Sequence, residues 1–303
     1  MSFSNASPGK DVSSDDLKSK IPLVTNPKLK DHVVRVAEVE ISQNTFVVMA
    51  GPNTVENEEM MVATANSVKL SGGHMLRGGA YKPLTFPYRS EKYFETGIDG
   101  LKWLKTASLE SGLPSVSEVT SVRNLDNVAS HVDMLQIGTR NMQNFDLLTE
   151  AANTKMPILL KRGFGSSLRD WLGAAEYILN QGNDQIVLCE RGVVAPHTHR
   201  STSRFLLDLQ VVPAFKELSF LPIITDPSHA TFWAPWVEPL ALASIAAGAD
   251  GLMIEVHPDP RNAAVDPLQA ISFEEFETLF TKSLGVFQLI RNQSVKNSPD
   301  STP

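Results

Sequence analysis

The sequence predicts a closed α/β barrel of eight parallel strands, the (β/α)8 or TIM-barrel architecture, with its helices on the outside. Three observations carry that expectation. Eight short apolar runs recur roughly every 20 to 40 residues, each followed by a stretch with helical spacing. Together they span about 250 residues, the size of one such barrel. Several runs stop abruptly at polar or ring-constrained residues, most clearly in Ile223-Ile224-Thr225-Asp226-Pro227-Ser228-His229, as buried strands do when they deliver side chains to a shared rim. The units share no residue pattern beyond the apolar run, so the period is architectural and not an internal repeat.

With 42% hydrophobic and 20% charged residues among 303, the chain has the balance of a soluble globular protein and enough apolar material for one large core. A net charge of −7 disfavours a nucleic-acid partner, which needs a dense basic face. An anionic small ligand would therefore need a local cluster of Lys and Arg. The single cysteine, Cys189, excludes an intrachain disulfide and a multi-cysteine zinc site, and fits a reducing compartment. Met1 to Asp16 is Ser-rich without the apolar stretch of a secretory signal, and no apolar run is long enough to span a bilayer. A soluble cytoplasmic protein with no membrane contact is expected.

Residues 1–20 carry too few large apolar side chains to offset ordering entropy and read as a polar tail. In 21–43, Val33-Val34-Arg35-Val36 and Val39-Glu40-Ile41 alternate as a hairpin would, a candidate plug over one end of the fold. The catalytic barrel is expected over 44–290. Its first strand runs from Thr45 to Ala50 and stops at Gly51-Pro52-Asn53. A helix follows from Glu56 to Leu70, with Met60, Met61, Ala63, Val68 and Leu70 as its apolar positions. The next strands open at His74, Leu113, Met134, Pro157 and Gln185, and the seventh and eighth at Ile223 and Gly251. Further helices are expected from Leu168 to Gln181 and from Val237 to Ala247, with Trp171 and Trp103 in the core. A final helix runs from Ser272 to about Leu289, and 291–303 reverts to a polar tail.

The loops after the strands form one face of such a barrel, and chemistry is placed there. Those positions hold Asn53, Arg77 with Lys82, Glu118, Gln136 with Arg140, Lys161 with Arg162, Glu190 with Arg191, Asp226 with His229, and Glu255 with His257. Desolvated charges cost several kcal/mol each unless paired. Their convergence points to a strongly anionic ligand held in a phosphate and carboxylate cradle; the plainer alternative is a solvated ring of ion pairs. Lys161 has two readings, a Schiff-base lysine with a depressed pKa or a phosphate ligand, and Arg162 beside it favours the second. His229, Glu255 and Asp266 are a set suited to a divalent metal. His74, His131, His197 and His199 lack such company and read as structural or exposed.

From about Val34 to Ser272 the chain resembles the phosphoenolpyruvate-dependent aldol synthases that make 3-deoxy-D-arabino-heptulosonate 7-phosphate and 3-deoxy-D-manno-octulosonate 8-phosphate. The motifs are Ala50-Gly51-Pro52, Arg77-Gly78-Gly79-Ala80-Tyr81-Lys82-Pro83, Gln136-Ile137-Gly138-Thr139-Arg140-Asn141-Met142, Leu160-Lys161-Arg162-Gly163, Leu188-Cys189-Glu190-Arg191-Gly192, Asp226-Pro227-Ser228-His229-Ala230 and Ile254-Glu255-Val256-His257-Pro258-Asp259-Pro260. It is most similar to the short heptulosonate synthases without a separate regulatory domain. The resemblance implies condensation of phosphoenolpyruvate with an aldehyde, in aromatic biosynthesis for the heptulosonate enzymes, by a homo-oligomer, dimer or tetramer.

By position, the resemblance puts Arg140, Lys161 and Arg191 on the phosphate, with Arg162, Glu190, Thr85 and Gln136 as further substrate contacts. Arg77 and Lys82 would meet the carboxylate end, with Lys82 as proton donor, and Glu118 and His229 complete the catalytic candidates. His229, Glu255 and Asp266 would hold a divalent ion, with Asn53 where metal-dependent members have Cys. That change favours manganese or magnesium over zinc, or a metal-independent site. The acceptor side departs further. The family's Lys-Pro-Arg-Thr is Lys82-Pro83-Leu84-Thr85 here, its Thr-Arg-Asn-Thr-Leu-Asp is Ser203-Arg204-Phe205-Leu206-Leu207-Asp208, and its Gly-Arg-Arg is Phe232-Trp233-Ala234. Together with Phe86, these changes imply an acceptor less anionic than erythrose 4-phosphate, unless Arg89, Arg200 or Arg204 replaces the lost clamp. Alternatives of other kinds are an octulosonate-type synthase, a Schiff-base aldolase using Lys161, and a non-catalytic binding subunit.

Overall fold

A computed structural model of the chain describes residues 17–82, 95–196, 199 and 205–296. The apolar runs become strands because Val, Ile, Leu and Met suit a pleated surface buried on both faces. After a short antiparallel hairpin, β1 (Val34–Val36) and β2 (Val39–Ile41), the barrel strands are β3 (Val47–Gly51), β4 (Met75–Arg77), β5 (Ser115–Val119), β6 (Met134–Ile137), β7 (Ile158–Lys161), β8 (Ile186–Glu190), β9 (Ile223–Thr225) and β10 (Gly251–Glu255). They pair in parallel in chain order, and β10 closes on β3 with Gly251 opposite Val47 and Glu255 opposite Gly51. The closed eight-stranded barrel is the expected one.

The helices between them are α1 (Glu58–Leu70), α2 (Gly97–Ser111), α3 (Val122–Ala129), α4 (Phe145–Asn153), α5 (Leu168–Asn180), α6 (Val211–Lys216), α7 (Pro227–Thr231), α8 (Ala234–Ala246) and α9 (Phe273–Lys296). Several starts are legible as caps: Asn57 accepts from Met60 N, and Ser167 forms a reciprocal box with Asp170. Helix α8 begins three residues before the expected Val237, because Pro235 in the first turn presets helical φ. Helix α9 continues to Lys296, past the expected end near Leu289 and into the stretch read as a tail. At the other end, residues 17–20, read as part of the tail, are helical and Leu17 packs on the core. Trp171 is fully buried, whereas Trp103 only packs partly buried against the core. No described helix is long and apolar enough to cross a membrane.

Burial divides the core in two. An outer layer between strands and helices includes Val48, Leu76, Leu135, Leu160, Leu188 and Ile254. The lumen is filled by Val47, Met49, Met75, Val116, Met134, Leu159, Val187, Ile224 and Met253, in one cluster with Val34, Val36 and Ile41 of the hairpin. The hairpin therefore stoppers the end where strands begin and leaves the other end for chemistry. Its two-residue turn holds Ala37 at φ 48, the positive φ that a tight hairpin turn of this kind needs.

Candidate active site

Strand alternation builds the site. Two residues past each apolar lumen residue the strand faces inward again, and the step leads from Met75 to Arg77, Val116 to Glu118, Met134 to Gln136, Leu159 to Lys161 and Met253 to Glu255. A dry floor thus carries a polar layer, and Arg77, Glu118, Gln136, Lys161 and Glu255 are all at least nine-tenths buried. Two glycines make room for it. A β-carbon at Gly51, whose φ is 149, would lie 2.0 Å from the Arg77 carbonyl oxygen, and one at Gly138 would lie 1.9 Å from Glu118 Oε1.

Asn53, in the loop after β3, ties the layer together. Its Oδ1 accepts from Arg77 Nη2 and Lys82 Nζ, both at 2.6 Å, while its Nδ2 donates to Asp266 Oδ2 at 2.8 Å. Arg77 Nη1 lies 3.8 Å from Glu255 Oε2 and makes no hydrogen bond among the described residues, a buried donor suited to an anionic ligand. Lys82 Nζ is also 3.9 Å from Glu118 Oε2, which takes a 3.3 Å hydrogen bond from Gln136 Nε2. Burial pulls the Lys82 ammonium down to about 8 against the opposing carboxylate of Glu118. Such a group holds a proton near neutrality and can give it up.

Asp226 organises the adjacent side. Its Oδ2 is 2.5 Å from Lys161 Nζ and 2.8 Å from His229 Nδ1, and its Oδ1 caps α7 by accepting from His229 N at 3.0 Å. Burial keeps the His229 imidazole well below its usual pKa despite this carboxylate. Burial also opposes ionisation of Asp226, yet its carboxyl lies well below the usual range. With His229 neutral, the Lys161 ammonium and the Nδ1–H donor hold that charge. The same bond turns the Nε2 lone pair inward, 3.6 Å from Glu255 Oε2 and 3.4 Å from Asn53 Oδ1. Burial pushes the Glu255 carboxyl up to about 8 although Arg77 is near.

One ligand atom each from His229, Glu255 and Asp266 lie within 4.8 Å of one another, so the expected trio does converge. A neutral imidazole and two carboxylates fit a divalent ion. Gln269 Nε2 steadies Glu255 with a 2.6 Å bond, and Asp266 sits at φ 53 on an irregular segment.

The remaining cations gather over one ring. Arg191 lies 4.9 Å above Phe164 and 4.2 Å above Phe205, and Arg140 lies 5.5 Å from Phe164. Two guanidinium groups against one ring bring two positive charges close together, which suits an anionic phosphate.

Arg162 and Glu190, expected among the substrate contacts, do not join this layer. Alternation turns Lys161 and Cys189 inward and their successors outward. Arg162 Nη1 bonds Glu190 Oε2 at 2.9 Å and Asp208 Oδ2 at 2.8 Å, a network that fixes the loop after β8. His257, read as delivered to the rim with Glu255, instead faces Glu56 Oε1 at 3.2 Å. Thr85, Leu84, Phe86 and the arginines at 89, 200 and 204 lie outside the described residues. Sequence reasoning missed Gln269, whose segment carries no strand or motif signal, and gave Asp226 no role, although its place before Pro227 marks a helix cap.

The family model for the DAHP synthetase I family matches residues 29–291. The chain belongs to that family. It is 42% identical over 250 residues to the phospho-2-dehydro-3-deoxyheptonate aldolase of Thermotoga maritima, covering 82% of this chain and 72% of that one. A truncated form of 3-deoxy-D-arabino-heptulosonate 7-phosphate synthase from the same organism superposes with a TM-score of 0.81 at 38% identity, over 89% of this chain and 98% of that one. A 2-dehydro-3-deoxyphosphooctonate aldolase from Syntrophobacter fumaroxidans is 26% identical over 83% of this chain and 91% of its own. The resemblance read from the motifs is borne out, with the heptulosonate branch of DAHP synthetase I relatives the more similar of these.

Proposed function

We propose that the chain condenses phosphoenolpyruvate with an aldehyde to give a 3-deoxy-2-keto acid and inorganic phosphate, the reaction its membership of the DAHP synthetase I family implies. The observation that carries this is the inward convergence of Arg77, Lys82 and Lys161 beside Arg140 and Arg191, all at the strand-end face of a DAHP synthetase I barrel. A trianionic donor needs such pre-aimed charges. Arg140, Lys161 and Arg191 bind its phosphate, and Arg77 and Lys82 its carboxylate.

In the reaction a bond forms between C3 of phosphoenolpyruvate and the aldehyde carbon, a water oxygen adds at C2, and phosphate leaves. Of the two protons of that water, one ends on the aldehyde oxygen and the other on phosphate. Lys82 passes the proton to the aldehyde oxygen, with Glu118 holding the ammonium in place. His229, Glu255 and Asp266 would hold a divalent ion, manganese or magnesium in preference to zinc, which when bound supplies polarisation of the aldehyde oxygen. The Schiff-base reading of Lys161 loses support, because its Nζ is engaged by Asp226 Oδ2 at 2.5 Å and is not left free to attack a carbonyl. Phosphate release from phosphoenolpyruvate, measured against a panel of aldehydes with keto-acid detection, tests the proposal. Release that requires an aldehyde is expected; no release with any member of the panel would overturn it.

A further inference from the structure

Arg191 is the first residue past β8, at the start of the loop that leads to α6. A side chain on a loop aims at a ligand only as well as the loop itself is held. Three charged side chains with no part in the condensation do the holding. Arg162 Nη1 donates to Glu190 Oε2 at 2.9 Å and to Asp208 Oδ2 at 2.8 Å, so one guanidinium nitrogen joins the two ends of the loop, 18 positions apart in the chain. Glu190 Oε1 reaches past Arg191 to accept from Gly192 N at 2.6 Å, and it also takes the Asp208 N–H at 3.4 Å. Asp208 Oδ1 accepts from Val211 N at 3.3 Å, which anchors the far end on α6.

A second set of bonds ties this loop to the one before it. Arg162 Nε donates to Ser166 O at 3.0 Å and Val194 N to Phe164 O at 2.7 Å, while Val193 and Leu206 exchange backbone bonds of 3.0 and 2.9 Å. Phe164, whose ring lies against both Arg191 and Arg140, therefore belongs to the same framework. Burying Arg162 and Glu190 carries a desolvation cost, and apolar residues of like volume hold a core equally well. What the charges add is direction, since each hydrogen bond fixes a donor against one acceptor.

We infer that Arg162, with Glu190 and Asp208, positions the donor phosphate site: it acts through Arg191 and does not itself touch substrate. This rests on the phosphate role proposed for Arg191. A guanidinium held in place before the ligand arrives spares the ordering cost at binding. A displacement of about 1 Å at such a contact can cost about a hundredfold. Loosening the staple therefore weakens phosphoenolpyruvate through Arg191 alone.

The test is calorimetric titration of the full chain with phosphoenolpyruvate. Arg162→Lys keeps the charge but replaces the planar fork with a single ammonium. Asp208→Asn keeps the shape of the staple and an oxygen to cap α6 while removing a charge. Each should raise Kd by about tenfold with the circular dichroism spectrum unchanged. In an Arg191→Ala background the same substitutions should change Kd by less than about twofold, because nothing is left to position. A role in stability alone would leave Kd unchanged in the single variants, or would add the same loss in both backgrounds. Either result overturns the inference while the donor site stands, and Asp208→Asn decides it by itself if Arg162→Lys does not fold. No binding of phosphoenolpyruvate to the wild type overturns the donor reading, and the inference with it.

Discussion

Asp226 and Asn53 show how single side chains set the chemistry of this site. Asp226 is the shared partner of Lys161 and His229, and its Oδ2 both meets Lys161 Nζ and sets the imidazole tautomer through His229 Nδ1. Asp226→Asn keeps the shape but removes the charge. Second-sphere changes of this type cost about ten- to a hundredfold, so kcat/KM for phosphate release should fall by that range while the circular dichroism spectrum stays unchanged. Equal activity would show that His229 does not depend on this carboxylate. Asn53 presents a neutral amide where a thiolate would be a soft, strong zinc ligand. Zinc added to the wild-type protein should be lost on dialysis against a chelator, and Asn53→Cys should retain it. Stoichiometric zinc in the dialysed wild type, read by atomic emission, would contradict the hard donor set assigned to His229, Glu255 and Asp266.

Among the elements, the join between α6 and the start of β10 carries a buried acid with no part in the chemistry. Asp250 Oδ2 accepts from Ile223 N at 2.9 Å, and Oδ1 lies 2.5 Å from Lys216 Nζ. Burial nonetheless pushes the carboxyl up to about 6. In the unfolded chain it titrates near about 3.9, so between those values the folded state binds more protons. Stability must then fall as pH rises through that window, by a total of about 3 kcal/mol that is complete above the folded value. Asp250→Asn removes the titration. Urea unfolding of both proteins from pH 4 to 7 should show the wild type losing ground to the variant up to about pH 6 and holding a constant difference beyond it. Parallel curves would show that Asp250 titrates alike in both states.

Across the whole molecule, legibility followed the length scale of the signal. The eight strands were readable because burial on both faces demands continuous apolar runs, and the rim residues because each run ends in a charge. The inward and outward partners within a rim pair were readable in principle too. Period-2 alternation from Leu159 turns Lys161 in and Arg162 out, but treating the pair as one unit obscured it. What the sequence withholds is contact between irregular segments. Gln269 reaches Glu255 from a stretch with no periodicity, and His257 turns to Glu56 across 201 positions of chain. Helix α9 ran past its expected end because its polar last turns look like a tail.

If the rim cations form one phosphoenolpyruvate site, loss of Arg191 should weaken it. Its guanidinium is buried, with its centre 4.9 Å from the Phe164 ring and 4.2 Å from the Phe205 ring, so it is held in place before the ligand arrives. A charge-assisted contact of this kind is worth about 1.5 to 3 kcal/mol. Calorimetric titration of phosphoenolpyruvate should therefore show binding to the wild type, weakened roughly ten- to a hundredfold in Arg191→Ala. Equal affinity in the two proteins, or no binding to the wild type, would contradict the account.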